Sequence, residues 1–210
     1  MKAIVFDYGK VLTLSPTAAD WKREAAVFNV SVGEFQKPYW GLREDYDRAV
    51  YTGESYWRAV SEHLGRCVSK DDVARLTALD NEQWTNANPA MLELAWRAKE
   101  AGLKIGILSN MQSDMLAFMR TKLDWLDRFD AQIYTCDIGA IKPEPESYHS
   151  VLKALDVKAE ESLFFDDKQV NVDGAILVGM HARLFDGDVR KAYEAVEHLG
   201  VALAMRKAAD

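Results

Sequence analysis

Five short apolar runs, each ending in or followed by a polar residue, constrain the fold of this chain more than any other feature. Each run is too short for a helix and is bounded by polar residues, which is typical of strands buried in a parallel sheet. The runs lie at residues 3–6, 104–108, 132–136, 163–165 and 182–185. The sequence therefore predicts a sheet of parallel strands.

Segments with helical periodicity separate the later runs. One of them is opened by Asn88 and Pro89 and is stopped by Gly102, as expected for a helix with an N-cap and a glycine terminator. The three apolar faces are Met91, Leu94, Ala95 and Ala98; Met111, Met115, Phe118 and Met119; and Tyr148, Val151, Leu152 and Leu155. Strands that alternate with helices predict an α/β fold with a doubly wound parallel sheet.

The interval between the first two strands is far longer than one crossover helix requires. Most of it, residues 15–87, reads as helix, with breaks near residues 31–33, 52–53 and 65. The segment carries ten aromatic side chains, most of which we expect in a common core. We predict a four-helix cap domain at residues 15–87, inserted into an α/β core formed by residues 1–14 and 88–210.

Charge and cysteine content exclude several classes of protein. The net charge is −7 and no block of five Lys or Arg residues occurs, so neither nucleic acid nor an anionic membrane is an expected partner. No apolar stretch approaches the roughly 18 residues of a membrane span, and the first apolar run is too short for a signal peptide. Cys67 and Cys136 form no CxxC pattern, which argues against a disulfide scaffold or a structural zinc site. We expect a soluble, cytoplasmic monomer or homodimer with reduced thiols.

Residues able to do chemistry follow the predicted strands. Because ligands of open parallel sheets bind beyond the carboxyl ends of the strands, these residues should share one crevice. They are Asp7, Ser109, Asn110, Lys142, Asp166 and Asp167. Three carboxylates in one crevice would repel one another and need a cation, and oxygen ligands without histidine favour Mg²⁺. A serine hydroxyl at a helix N-terminus and a lysine across the crevice suit a phosphate, and together these groups favour phosphoryl transfer through an aspartyl-phosphate.

Each of these residues also has an ordinary structural explanation. Asp7 could simply end a strand, Ser109 could cap a helix, and Lys142 could be a solvated loop lysine. The pair Asp166 and Asp167 could cap the following helix. Chance does not readily place all of them at one sheet edge, so we prefer the functional interpretation.

Four segments of the chain resemble, in order, the four motifs of the haloacid dehalogenase superfamily. They are FDYGKVL at residues 6–12, ILSN at 107–110, GAIKPEP at 139–145, and FFDD at 164–167 with Asn171 and Gly174. The resemblance covers the whole chain, because many members carry a helical cap inserted where residues 15–87 lie. The Asp-x-Gly-x-Val pattern at residues 7–11 is similar to that of a sugar-phosphate phosphatase subgroup.

The resemblance also implies roles for the metal-binding residues. Asp7 would attack phosphorus, and Mg²⁺ would be held by Asp7, the backbone carbonyl of Gly9 and a carboxylate of Asp167. Asp166 would lie beside the metal, acting through water or through Lys142.

The same resemblance assigns Ser109, Asn110 and Lys142 to the transferring phosphoryl group. It implies a Mg²⁺-dependent phosphatase of small phosphorylated metabolites, with sugar phosphates among the candidates. Gly9 departs from the pattern, since family phosphatases usually carry an aspartate there that protonates the leaving group.

The glycine at residue 9 leaves two alternatives to the phosphatase function open. One is a C–halogen hydrolase that forms an ester on Asp7, and the other is a binding module that keeps the phosphate pocket without turnover. The paired Asp166 and Asp167 favour the phosphatase, because dehalogenases of the superfamily usually lack this pair.

Overall fold

A five-stranded parallel sheet lies at the centre of the computed structural model, which describes residues 1–203. The strand order is β3-β2-β1-β4-β5, and every neighbouring pair is parallel. The strands are β1 (Ala3–Phe6), β2 (Lys104–Ser109), β3 (Ala131–Tyr134), β4 (Ser162–Asp166) and β5 (His181–Leu184). The predicted doubly wound parallel sheet is confirmed, with β1 in its middle.

Helices surround this sheet and fill the interval between β1 and β2. In order they are α1 (Ala18–Val27), α2 (Val32–Gly41), α3 (Arg43–Asp47), α4 (Gly53–His63), α5 (Lys70–Gln83), α6 (Pro89–Glu100), α7 (Ser113–Arg120), α8 (Thr135–Ile138), α9 (Pro145–Leu155), α10 (Gln169–Leu177) and α11 (Val189–His198). A turn, Tyr8–Leu12, follows β1 and has non-helical dihedral angles at Gly9 and Lys10, and short 3-10 turns lie at Asp124–Arg128 and Ala159–Glu161. No helix within residues 1–203 is long and apolar enough to cross a bilayer.

Both faces of the sheet are covered, because successive side chains of a strand point to opposite faces. Ile4 and Phe6 pack into one apolar cluster with α6, α7 and α11. Ala3 and Val5 pack into a second cluster with α9 and α10. Because both faces of β1 are covered by these clusters, Asp7, which follows the strand, is held in a fixed position.

Two of the predicted boundaries are wrong in detail. The third strand ends at Tyr134, and Thr135 and Cys136 begin α8, a four-residue helix that stops at Gly139, where φ is +71°. Met111 precedes α7 rather than lying in it. Since α7 begins at Ser113, its buried face consists of Met115, Leu116 and Met119, and Phe118 is half-buried.

The helical segment, residues 15–87, contains five helices rather than the predicted four. The extra helix is α3, separated from α2 by Leu42, whose ψ of 0° interrupts the helical path. Seven of the ten aromatic side chains are buried: Phe28, Phe35, Tyr39, Tyr46, Tyr56, Trp57 and Trp84. The division into a cap at residues 15–87 and a core at residues 1–14 and 88–210 stays a prediction, and residues 204–210 lie outside the described part. Both cysteines are free thiols, as expected.

Candidate active site

The carboxyl ends of β1, β2 and β4 bring the predicted site residues to one edge of the sheet. Asp7 follows β1, Ser109 ends β2, and Asp166 ends β4 with Asp167 directly after it. The expectation that Ser109 lies at a helix N-terminus is wrong, because α7 begins only at Ser113 and its N-cap is Gln112. The serine hydroxyl therefore reaches the crevice from the strand itself.

Lys142 connects two of these strand ends. Its side chain is almost completely buried, and its Nζ lies 2.7 Å from Asp7 Oδ1 and 2.7 Å from Asp166 Oδ2. The same ammonium donates a hydrogen bond to the Leu108 carbonyl at 3.0 Å. Burial opposes its charge, but Asp166 and Asp7 outweigh that cost and raise the pKa of Lys142. The lysine is therefore held as a cation between the two carboxylates.

Asp7 lies in surroundings that make ionisation costly. Burial raises the pKa of Asp7 to about 7, Lys142 opposes this shift, and the charges of Asp166 and Asp167 add to it. Oxygens of the three carboxylates lie within 4.8 Å of one another. A divalent cation among them would favour the ionised form of Asp7, and three hard oxygen ligands fit Mg²⁺.

Asp166 and Asp167 differ in how many hydrogen bonds their carboxylate oxygens already accept from the protein. Asp166 is completely buried, and it accepts hydrogen bonds from Lys142, from the backbone N–H of Lys168 and from the Asn171 amide. Asp167 is partly exposed and pairs with Lys10 at 3.1 Å. Asp167 is thus the more accessible of the two to a metal ion.

Asn110 and Ser109 differ in their freedom to bind a ligand. The Asn110 side chain accepts from the backbone N–H of Lys142 at 2.9 Å and donates to its carbonyl at 3.2 Å. This pair of bonds fixes the loop that carries Lys142. The Ser109 hydroxyl makes a long contact of 3.4 Å with the Asn110 carbonyl and lines the cleft, so it can turn to donate to an anion.

Gly9 has ordinary extended dihedral angles, with φ of −68° and ψ of 125°. The strained position of this turn is Lys10, whose φ is +61°. A Cβ at residue 9 would lie 3.6 Å from Cζ3 of Trp84. A Cβ at this distance makes an ordinary van der Waals contact, so neither the backbone conformation nor the indole ring requires glycine at this position.

The cleft above these residues has a volume of about 90 Å³ and is closed on one side by the helical segment. From that segment it is lined by Trp40, Arg43, Asp47 and Trp84. Sequence reasoning did not single out these four residues. Trp40 and Trp84 were two of ten similar aromatic side chains, and no spacing rule distinguishes the two that face the cleft.

Arg43 is the centre of a polar network that joins the helical segment to the loop after β2. Its guanidinium donates to Asp47 at 3.0 Å, to Asp80 at 3.2 Å and to Gln112 Oε1 at 2.7 Å. Gln112 in turn donates from Nε2 to Asp80 at 3.1 Å. The polar groups on this side of the cleft therefore largely satisfy one another.

Comparison with known proteins gives a consistent set of relatives. The sequence model of the haloacid dehalogenase-like hydrolase family matches residues 1–179. Phosphatase MT3486 of Mycobacterium tuberculosis is 31% identical over 206 residues, which cover 89% of this chain and 88% of that protein. Sesquiterpene phosphatase astK of Aspergillus oryzae is 34% identical over 184 residues, which cover 85% of this chain and 87% of that protein.

Solved structures share the fold at lower identity. An enzyme of the same family from Bacteroides thetaiotaomicron, solved in complex with magnesium and inorganic phosphate, is 19% identical. It has a TM-score of 0.70, with 90% of this chain and 96% of that chain covered. The L-2-haloacid dehalogenase of Xanthobacter autotrophicus, with chloropropionic acid covalently bound, is 22% identical. Its TM-score is 0.67, with 98% of this chain and 85% of that chain covered.

Proposed function

This chain belongs to the haloacid dehalogenase-like hydrolase family, and from that premise we propose that it is a Mg²⁺-dependent phosphatase of small phosphorylated metabolites. The observation that carries the proposal is the position of Lys142, 2.7 Å from both Asp7 and Asp166, beside the three-carboxylate cluster. A buried lysine next to a nucleophilic carboxylate and a cation site suits a phosphoryl group with several negative oxygens.

In the proposed reaction, an oxygen of Asp7 forms a bond to phosphorus while the bond from phosphorus to the leaving-group oxygen breaks. The leaving group departs with a proton taken from solvent. Water then attacks the phosphorus of the aspartyl-phosphate, which releases inorganic phosphate and restores the Asp7 carboxylate. Lys142 and the Ser109 hydroxyl bind phosphoryl oxygens, and Asn110 positions Lys142 through its backbone.

Asp7, Asp167 and the Gly9 carbonyl are the groups that would hold Mg²⁺, with Asp166 acting on it through Lys142. When bound, Mg²⁺ would neutralise negative charge on the phosphoryl oxygens and on the carboxylates. The relatives support a Mg²⁺-dependent phosphatase, because two of them are named phosphatases and a structural neighbour was solved with magnesium and phosphate. We also propose that residues 15–87 act as a cap domain that closes the cleft over the substrate.

Substitution of the nucleophile tests the proposal. Asp7→Asn should lower turnover of acetyl phosphate and of a panel of phosphorylated metabolites, sugar phosphates included, by at least about 1000-fold, because an amide is a poor nucleophile. Asp173→Asn, which removes an exposed carboxylate of α10, is the matched control and should retain activity.

Mass spectrometry of the trapped phosphoryl adduct should locate the modification on Asp7, and a beryllofluoride adduct should form on the same residue. Chelation of divalent cations with EDTA should abolish turnover. Activity that survives Asp7→Asn would exclude the covalent mechanism. Activity on a haloacid that survives EDTA would favour the C–halogen hydrolase instead.

A further inference from the structure

One wall of the cleft, next to the nucleophile, is built from the carbon edge of an indole. Three contacts fix the ring of Trp84. Its backbone carbonyl accepts from the Tyr8 hydroxyl at 3.0 Å, its indole N–H donates to the Tyr39 hydroxyl at 3.2 Å, and Trp40 packs edge-on against it with ring centres 6.3 Å apart. Because the indole N–H already has a protein acceptor, the ring offers the cleft only carbon atoms.

Gly9 is the neighbour that this carbon edge faces. Cζ3 and Cε3 of Trp84 lie 3.6 Å and 3.8 Å from the position that a Cβ of residue 9 would occupy. The space where a polar side chain would stand beside Asp7 is thus bounded by an aromatic ring. A leaving group that extends from phosphorus past Gly9 meets an apolar surface.

Trp40 extends this surface towards solvent. It lies at the end of α2 and lines the same cleft, and 40% of its surface is exposed, which is a large fraction for a tryptophan. Met111 and Met115 also line the cleft and are buried. Flexible thioether side chains adapt to apolar groups of different shapes, and aromatic rings offer them a large apolar contact area.

The polar side chains of the network around Arg43, on the same side of the cleft, already have partners. Arg43 is bound by Asp47, Asp80 and Gln112, and Gln112 uses both ends of its amide within that network. A leaving group rich in hydroxyls would have to break these bonds to form its own, at the cost of unpaired buried groups. An apolar leaving group leaves the network intact.

We propose that this cleft selects phosphomonoesters with an apolar leaving group, and that Trp40 and Trp84 determine this specificity. The inference rests on the proposed phosphatase function and names the substrate class for it. Phenol esters fit both features of the site, since the ring can contact the tryptophans and a phenolate leaves without a proton from residue 9.

A homologous series of substrates that share one leaving-group chemistry tests the inference. The para-methyl, para-ethyl and para-propyl phenyl phosphates have nearly the same leaving-group pKa and differ in apolar area. We expect kcat/KM to rise roughly threefold to fourfold per added methylene, as for burial of a CH₂ group. Replacing the terminal methyl of the propyl chain by a hydroxyl should lower kcat/KM by at least about tenfold, because that hydroxyl would be desolvated against carbon.

Variants of Trp40 test whether the dependence of kcat/KM on alkyl length arises from the tryptophan surface of the cleft. Trp40→Ala should greatly reduce the increase in kcat/KM per added methylene, and Trp40→Phe should keep most of that increase. Trp96→Ala removes a half-buried tryptophan that packs on Phe129 outside the cleft, and it should leave the slope of the series unchanged. Thermal melts of each variant show whether it is folded.

The outcomes separate the inference from the function on which it rests. A flat series, a preference for the hydroxyl analogue, or faster cleavage of sugar phosphates would overturn the inference while leaving a phosphatase in place. The same holds if acetyl phosphate phosphorylates Asp7 but no phenyl phosphate is cleaved. If no adduct forms on Asp7 and no phosphate ester is cleaved, the proposed function fails, and the inference fails with it.

Discussion

At the scale of single residues, the tandem pair Asp166 and Asp167 shows how the fold gives neighbouring side chains different surroundings. Asp166 is completely buried and accepts hydrogen bonds from Lys142, Lys168 and Asn171. Asp167 faces the cleft and pairs with Lys10. The first carboxylate therefore holds protein groups in place, and the second is the better candidate for a metal ligand.

Alanine substitutions should separate these two roles. Asp167→Ala should weaken Mg²⁺ binding by at least about 100-fold, whereas Asp166→Ala should weaken it by about tenfold, since it removes a partner of Lys142 rather than a ligand. Asp166→Ala should instead lower the free energy of unfolding by about 3–5 kcal/mol, because Lys142 would stay buried without one of its two carboxylates. Calorimetric Mg²⁺ titrations and thermal melts measure the two effects. Identical titration curves for both variants would contradict the assignment.

Gly9 gives a second prediction at this scale. Its φ of −68° allows any residue, and a Cβ would lie at ordinary contact distance from Trp84. Gly9→Asp should therefore fold, and it should raise the rate on alkyl phosphates by roughly 100-fold by supplying a general acid. Aryl phosphates should change far less, because a phenolate hardly needs that proton.

Gly9→Ala is the control, since it adds the Cβ without the acid and should leave the alkyl to aryl rate ratio unchanged. The measurement is kcat/KM for both substrate types, with chemistry rate-limiting. If the unchanged protein already cleaves both types equally fast, another group supplies the proton and this interpretation of Gly9 is wrong.

At the scale of helices and strands, sequence signals succeeded where they were local. Asn88 and Pro89 mark the start of α6, and the five apolar runs locate the five strands to within two residues at each end. In the polar network around Arg43 only Asp47, four positions away on the same helix, is a local partner, whereas Asp80 and Gln112 lie 37 and 69 positions away in the chain. Side-chain pairs at such separations follow from the packing of helices, which periodicity within one segment does not specify.

The interface of α1 and α5 contains a carboxyl group whose protonation should govern the stability of the helical segment. Glu24 is completely buried and accepts a hydrogen bond from Gln83 at 3.1 Å. Burial, with a further contribution from the charge of Asp80, raises the pKa of Glu24 from 4.5 to about 9. The folded protein therefore keeps this carboxyl protonated at neutral pH, whereas the unfolded chain releases the proton.

The stabilising effect of that proton is complete below pH 4.5 and is lost as the pH rises towards 9. Across this window the free energy of unfolding should fall by up to about 1.4 kcal/mol per pH unit. Glu24→Gln, which mimics the protonated form, should remove this slope and raise Tm at pH 8 more than at pH 5. Glu62→Gln, at an exposed position of α4, is the control and should leave the slope intact. Parallel pH profiles for Glu24→Gln and the unchanged protein would contradict the prediction.

At the scale of the whole molecule, specific contacts join the helical segment to α7 and α8, which follow the strands β2 and β3. We call this contact region, formed by Tyr46, Asp47 and Gly53 with Asp114 and Thr135, the seam. Tyr46 donates to Asp114 at 2.7 Å, and the Thr135 hydroxyl donates to the Asp47 carbonyl at 2.9 Å. Gly53 lies very close to the Asp114 carboxylate, since a Cβ at residue 53 would lie 2.6 Å from Asp114 Oδ2. The seam is thus packed tightly where Gly53 meets Asp114.

Gly53→Ala should therefore loosen the seam. The added methyl must displace Asp114 and its bond to Tyr46, which should cost about 1–3 kcal/mol of stability. Hydrogen exchange should become faster in peptides that cover residues 43–53 and 111–116. Gly41→Ala, where a Cβ meets nothing within 4 Å, is the matched control and should be neutral or slightly stabilising. Equal exchange in the two variants would show that the seam tolerates the methyl group.

The central position of β1 has a consequence for biosynthesis. Residues 3–6 leave the ribosome long before residues 104–107 and 162–165, with which they pair, so the middle of the sheet stays incomplete until residues 162–165 have been translated. At usual elongation rates that delay is on the order of ten seconds. The aromatic cluster from Phe28 to Trp57, in contrast, finds all its apolar packing partners within the helical segment. We expect this segment to condense on the nascent chain while β1, the strand that precedes Asp7, is still unpaired.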